Sequence, residues 1–224
     1  MISPRAIEPG RTESSSPQHV WYASYGSNTY LGRLAYYITG GRHPGAARTY
    51  PGCRDRRLPE RSVPVELDGV LYFATESAVW TGGRAFYDPD ADGRVLARAH
   101  LVTAQQFSDI AAQEMYRQPG NELDLTGVLR HGRAVLGEGR YETLVCPGTL
   151  DGAPVLTFTA PWPVADAELN SPSAAYLAFL ARGLLEAGAW DAAAVAAYLA
   201  GCPGAAGHWT AQDIRHLMTA PGAP

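Results

Sequence analysis

Five short runs rich in β-branched and aromatic residues dominate the middle of this chain, and one strong helical pattern falls between the third and the fourth. The runs cover residues 69–75, 83–88, 94–102, 140–146 and 154–159, and each has the length and composition of a strand. The helical pattern covers 104–116, where Thr103 stands at the N-cap and Gln106 completes a capping box. Ahead of these, HVWYAS from His19 adds a strand, and residues 29–38 fit a short helix ended by Gly40 and Gly41. Beyond residue 160 the chain reads as helical. Ser171 is the expected cap with Pro172 at the first helical position and Gly188 past the end, and two shorter helices follow over 191–199 and 210–218. Strands gathered ahead of helices predict an α+β domain.

The ends divide the chain further. Residues 1–18 are rich in Pro, Ser and charge without periodicity and read as a disordered tail. Residues 19–189 form the main domain, and 190–224 a helical C-terminal extension packed on it. From 41 to 64 the pattern is loop-like, with four arginines from Arg54 to Arg61. That run reads as a solvated surface, with a rim guiding an anionic substrate as the alternative.

Several classes of function are disfavoured by composition. All 18 basic residues are arginine, so Schiff-base chemistry, a P-loop and a lysine base have no residue to work with. A net charge of −4 argues against nucleic acid as a partner. No run is apolar enough for a signal peptide or a membrane span, so a cytoplasmic protein is expected. Three cysteines without CxxC spacing and six scattered histidines predict neither a disulfide framework nor a metal site. No cofactor is expected.

Two features carry chemistry. On the helix over 104–116, Phe107, Ile110 and Ala111 define the core face, and Glu114 follows at i+7 on the same stripe. A carboxylate turned inward needs a hydrogen-bonded partner or a raised pKa. A structural ion pair with one of the arginines meets that need, and so does proton transfer in a cleft. The second feature is the strand-to-turn segment Tyr22, Ala23, Ser24, Tyr25, Gly26, Ser27, Asn28. Such a bend can aim several backbone N–H groups at one anion, or be an ordinary tight turn. Gly82 and Gly83 mark a close backbone approach or a bulge, and Tyr36, Tyr37, Phe179 and Leu180 read as core by helical spacing.

Taken in order, these segments resemble the γ-glutamylcyclotransferase superfamily. The resemblance rests on Tyr25-Gly26-Ser27-Asn28 after the first strand, Trp80 to Ala85 (WTGGRA) before a later one, Gln113-Glu114 on the helix, and Pro172 to Tyr176 (PSAAY). It runs from about His19 to Gly188. Where some members have a glycine after the catalytic glutamate, this chain has Met115.

The resemblance implies a small mixed-topology β-barrel surrounded by helices and an enzyme without a cofactor or metal. Its substrate would be a small molecule with a γ-glutamyl or similar acyl-amide group. The substrate's own α-amine would attack the γ-carbonyl, releasing 5-oxoproline and a free amine. Glu114 would be the general acid and base, Tyr22 to Asn28 and Tyr176 would bind substrate, and Gly82, Gly83 and Arg84 are candidate pocket residues. Hydrolysis on the same scaffold and a non-catalytic binding protein are the alternatives.

Overall fold

Strand β1 (His19–Ser24) buries every residue after His19, with Val20 and Tyr22 on one face and Trp21 and Ala23 on the other. A strand apolar on both faces must lie between two layers, and the rest of the architecture follows from that. The computed structural model describes residues 1–10, 17–42 and 49–219. Further strands are β2 (Ser62–Asp68), β3 (Val70–Ala74), β4 (Arg84–Asp88), β5 (Arg94–Thr103), β6 (Arg133–Val135), β7 (Thr143–Leu150) and β8 (Ala153–Thr159). Helices are α1 (Leu31–Thr39), α2 (Ala104–Glu114), α3 (Thr126–His131), α4 (Ala174–Ala187), α5 (Ala192–Gly201) and α6 (Ala211–Thr219).

The main sheet has the order β2-β5-β1-β8-β7-β6. All its pairs are antiparallel except β1 with β8, so the sheet is mixed. On one face Trp21, Ala97, Ala99 and Val155 pack with Leu177, Leu180 and Leu184 of α4, Val195 and Leu199 of α5 and Ile214 of α6. On the other, Tyr22, Leu156 and Phe158 pack with Leu34 and Ile38 of α1, Phe107 and Ile110 of α2 and Leu129 of α3. Each fully buried side chain of this size contributes about 1.5–3 kcal/mol of transfer free energy.

The expected closed barrel is not formed among the described residues. Strands β3 and β4 make a separate two-stranded sheet. It joins the large one through a side chain: Thr159 Oγ1 of β8 accepts from Tyr87 N at 2.9 Å and donates to Tyr87 O at 2.6 Å. A hydroxyl standing where a strand ladder would run keeps the architecture open, as two sheets rather than a cylinder.

Other boundaries differ for local reasons. Residues 62–64 close the stretch expected as loop and 65–68 were assigned to no element, yet 62–68 form β2. This is an edge strand, where proline is tolerated. Arg5 N donates to Pro64 O at 2.8 Å, and Glu8 exchanges two bonds with Thr149, at 2.8 and 2.9 Å. Ile2 N adds a bond to Gly188 O at 3.0 Å. Residues 2–8 are therefore tied to the domain rather than disordered; 11–16 of the expected tail lie outside the described residues.

Ser173, not Ser171, caps α4, its side chain accepting from Tyr176 N at 3.3 Å. The preceding stretch is engaged elsewhere: Ser171 O accepts from Gly83 N at 2.8 Å and Pro172 O from Trp209 Nε1 at 2.9 Å. In the arginine-rich loop, Arg54 pairs with buried Asp109 and Arg61 with Asp151, so those two are anchored rather than simply solvated.

Candidate active site

After Ser24 the chain bends at Gly26 into a single 3-10 turn over Ser27–Thr29. Glycine suits the bend because a Cβ there would stand 3.3 Å from the Tyr176 hydroxyl and 3.9 Å from the Ala85 Cβ. Gly26 O accepts from Thr29 N at 3.1 Å and from Thr29 Oγ1 at 2.9 Å, which closes the turn. The N–H groups of Ser27 and Asn28 open it, a position with no acceptor inside the turn.

Two side chains of β5 hold the turn from beneath. Arg98 Nη1 donates to Thr29 O at 3.2 Å, and His100 Nε2 lies 3.1 Å from Asn28 O. The carbonyl can only accept, so Nε2 carries the proton, while Nδ1 accepts from Ser62 Oγ at 2.8 Å. Burial, and then the Arg98 charge, push the His100 pKa down to about 3, so the ring is neutral. It is a fixed strut.

Glu114 arrives from another direction. The capping box forms as the residues suggest: Thr103 Oγ1 accepts from Gln106 N at 3.0 Å, and Gln106 Oε1 accepts from Thr103 N at 3.1 Å. Phe107, Ile110 and Ala111 are fully buried. The helix ends at Glu114, earlier than expected, with Met115 as C-cap and Tyr116 at φ 58. Gln113 Nε2 donates to Tyr37 O at 2.9 Å and pins this end of α2 to α1. Half-buried, Glu114 accepts from Asn28 Nδ2 at 3.1 Å through Oε1.

Both features open on one cleft. Of the residues singled out from sequence, Tyr22, Ser24, Tyr25, Gly26, Ser27, Asn28, Arg84, Glu114 and Tyr176 line it. Ala23 points instead into the core. Gly82 and Gly83 lie off the wall and serve packing: a Cβ on them would come within 2.6 Å of Ser171 O and 2.0 Å of Asn170 O, respectively. The arginines of the 54–61 loop are not among the lining residues. Sequence reasoning missed Arg33, Tyr50 and Tyr141 and assigned Tyr37 to the core alone, yet all four line the cleft. The signal available was weak, an arginine on the otherwise apolar α1.

Aromatic side chains make up much of the cleft wall. The Tyr22, Tyr37 and Tyr176 hydroxyls are all held above the usual phenol range, first by burial and then with a contribution from the negative charge of Glu114. They stay protonated and can donate hydrogen bonds. Tyr176 OH in turn accepts from Ala85 N at 3.3 Å. Burial pushes the Cys53 thiol up to about 12, so it is no thiolate nucleophile. Among the described residues no cluster of three His, Cys, Asp or Glu is placed to hold a metal, and no helix is long and apolar enough to cross a membrane.

No protein-family model matches the chain. Histone deacetylase 5 of Arabidopsis thaliana is 28% identical over 222 residues, a match covering 89% of this chain and 33% of that protein. The chain thus spans about a third of the length of the curated relative it matches. Two solved structures, one described as gamma-glutamyl cyclotransferase and one as an uncharacterized protein from Homo sapiens, are each 18% identical, with TM-scores of 0.46 and 0.45. Each match covers 76% of this chain and 81% of the other. What the chain can do chemically rests on the cleft itself.

Proposed function

We propose that the protein cleaves a γ-glutamyl amide by intramolecular attack of the substrate's α-amine on its own γ-carbonyl. The observation that carries this reading is the Asn28–Glu114 contact, which brings a carboxylate and an open backbone turn into one cleft. Glu114 takes a proton from the substrate ammonium and frees the amine. The new C–N bond closes a five-membered ring as the amide C–N bond breaks, and Glu114 gives the first proton to the departing nitrogen. It then takes the second proton that the ring nitrogen must shed and passes it to the freed amine, which leaves as its ammonium. 5-Oxoproline and a free amine leave, and no water is consumed.

Because the nucleophile belongs to the substrate, the protein's task is to hold it in a near-attack geometry and exclude water. The N–H groups of the Ser27–Asn28 turn suit the glutamyl carboxylate. Neutral phenols such as Tyr176 are suited to donate to the developing oxyanion without competing for the proton.

Incubation with a panel of γ-glutamyl amino acids and amines, followed by mass spectrometry, tests the proposal. 5-Oxoproline is expected. Free glutamate in its place would mean that Glu114 activates water and the chain is a hydrolase, and no product from any of the panel would point to a binding protein.

A further inference from the structure

We propose that Tyr37 is a positioning residue for Glu114: its phenol hydroxyl donates to the carboxylate while its backbone carbonyl holds the end of the helix that carries it. The proposal rests on the cyclisation reading above for what Glu114 does. The observation behind it is that one residue of α1 meets two consecutive residues of α2 through two different atoms.

The Tyr37 ring is buried in the same apolar layer as Leu34, Ile38 and Phe107, and it packs on Tyr50 with ring centres 4.4 Å apart. Its carbonyl belongs to the last turn of α1, where carbonyls have no partner within the helix. It accepts instead from Gln113 Nε2 at 2.9 Å and from Cys53 Sγ at 3.3 Å. Ring and backbone are thus both fixed, and the hydroxyl they carry bonds to the Glu114 carboxylate. Asn28 Nδ2 reaches the same carboxylate at 3.1 Å from the bend after β1. Donors from two separate elements converge on one acid.

A half-buried carboxylate among aromatic rings keeps its charge only against hydrogen-bond donors. A hydroxyl that donates to the ionised form favours that form and restricts the directions from which the carboxylate can take a further proton. A phenol suits the task. Burial, and then the Glu114 charge, hold the Tyr37 hydroxyl above the usual phenol range, so it keeps its proton and does not compete for the one being moved. The other groups that face Glu114 across the cleft are the phenols of Tyr22, Tyr141 and Tyr176 and the guanidinium groups of Arg33 and Arg84. Tyr25, Tyr50 and Tyr116 complete the titratable wall. Tyr141 and Tyr25 spend their protons on backbone carbonyls, of Ala85 at 2.9 Å and Phe158 at 2.7 Å.

Tyr37→Phe removes the hydroxyl and keeps the ring on Tyr50 and both bonds to the carbonyl, and circular dichroism checks that the fold is unchanged. On the fastest substrate of the γ-glutamyl panel, kcat should fall about tenfold while KM holds, because the lost contact is to Glu114. The acidic limb of kcat/KM should move up by about one pH unit. Carbon-13 NMR of the glutamate carboxyls, with the Glu114 signal identified by its loss in Glu114→Gln, should show the same rise in midpoint with no substrate present. Tyr72→Phe is the control: it removes a hydroxyl that donates to Trp162 O at 3.2 Å, away from the cleft lining, and should leave kcat, limb and midpoint where they were.

A Glu114 midpoint that stays put in folded Tyr37→Phe, a loss confined to KM, or the same changes in Tyr72→Phe would overturn the proposal. The carboxyl signal also separates it from the reaction. No 5-oxoproline from any compound of the panel would sink the cyclisation reading, while a raised midpoint in Tyr37→Phe would still place that hydroxyl on Glu114.

Discussion

The side-chain amide of Asn28 donates to Glu114 Oε1 at 3.1 Å, joining the bend after β1 to the last residue of α2 across 86 positions of sequence. The same Asn28 is held through its backbone carbonyl by His100. The carboxylate is thereby oriented, through Asn28, by a sheet residue two steps away.

Replacing Glu114 with Gln keeps the shape and removes the proton acceptor. Turnover should fall by about 10²–10⁴-fold, with an unchanged melting curve by circular dichroism. Near-wild-type rates would show that another group moves the proton.

Asn28→Asp is close to isosteric but turns a donor into a second carboxylate beside Glu114. Two like charges at that distance resist joint ionisation. The acidic limb of the kcat/KM profile should move to higher pH, with a loss of rate at neutral pH. An unmoved limb in the pH-rate profile would remove Asn28 from the orienting role.

His100 gives a pH dependence of stability with a definite sign. Its ring stays neutral in the fold down to about 3, whereas an unfolded histidine protonates near 6.5. The unfolded chain therefore binds the extra proton between those values. The stability associated with neutral His100 is present above about 6.5 and is lost progressively towards 3, at up to about 1.4 kcal/mol per pH unit. Nitrogen NMR should show the Nε2–H neutral tautomer unchanged from pH 7 to pH 5, and protonation near 6.5 would contradict the strut.

Gly183 of α4 lets that helix approach the turn. A Cβ there would stand 2.2 Å from Thr29 Oγ1 and 2.5 Å from Tyr30 N. Gly183→Ala should cost about 1–3 kcal/mol through overpacking and lower kcat/KM, because α4 also carries Tyr176. Gly201, whose Cβ would meet nothing within 4 Å, is the control: its alanine variant should be neutral or slightly stabilising. Equal effects in thermal melts and assays would refute the close-approach account.

The carboxylate of Asp109, 0% exposed, accepts from Arg54 N at 2.9 Å, from Nε at 3.1 Å and from Nη2 at 2.9 Å. Arg54→Ala strands that buried charge, at a cost of about 3 kcal/mol. For a chain of this size that lowers Tm by roughly 10 °C, measurable by scanning calorimetry. A change under 2 °C, set against this roughly 10 °C expectation, would mean that Asp109 finds another partner.

Local pattern settled much of this protein. The strand runs, the capping box at Thr103 and Gln106 and the inward stripe ending at Glu114 are short-range features, and local propensity and periodicity express them directly. Where sequence misled, a distant partner had intervened. Pro64 sits in a strand because β2 is an edge, Ser173 takes the cap because Ser171 and Pro172 are bound to Gly83 and Trp209, and the barrel stays open where the Thr159 hydroxyl stands between β4 and β8. What only the tertiary structure decided is the company each charge keeps. Arg33 and Arg84 look like any other arginines in a line of letters. Their burial without an ion pair among the described residues depends on α1, β4 and the Trp80 segment meeting around one hollow, and proximity over such separations leaves no local signature.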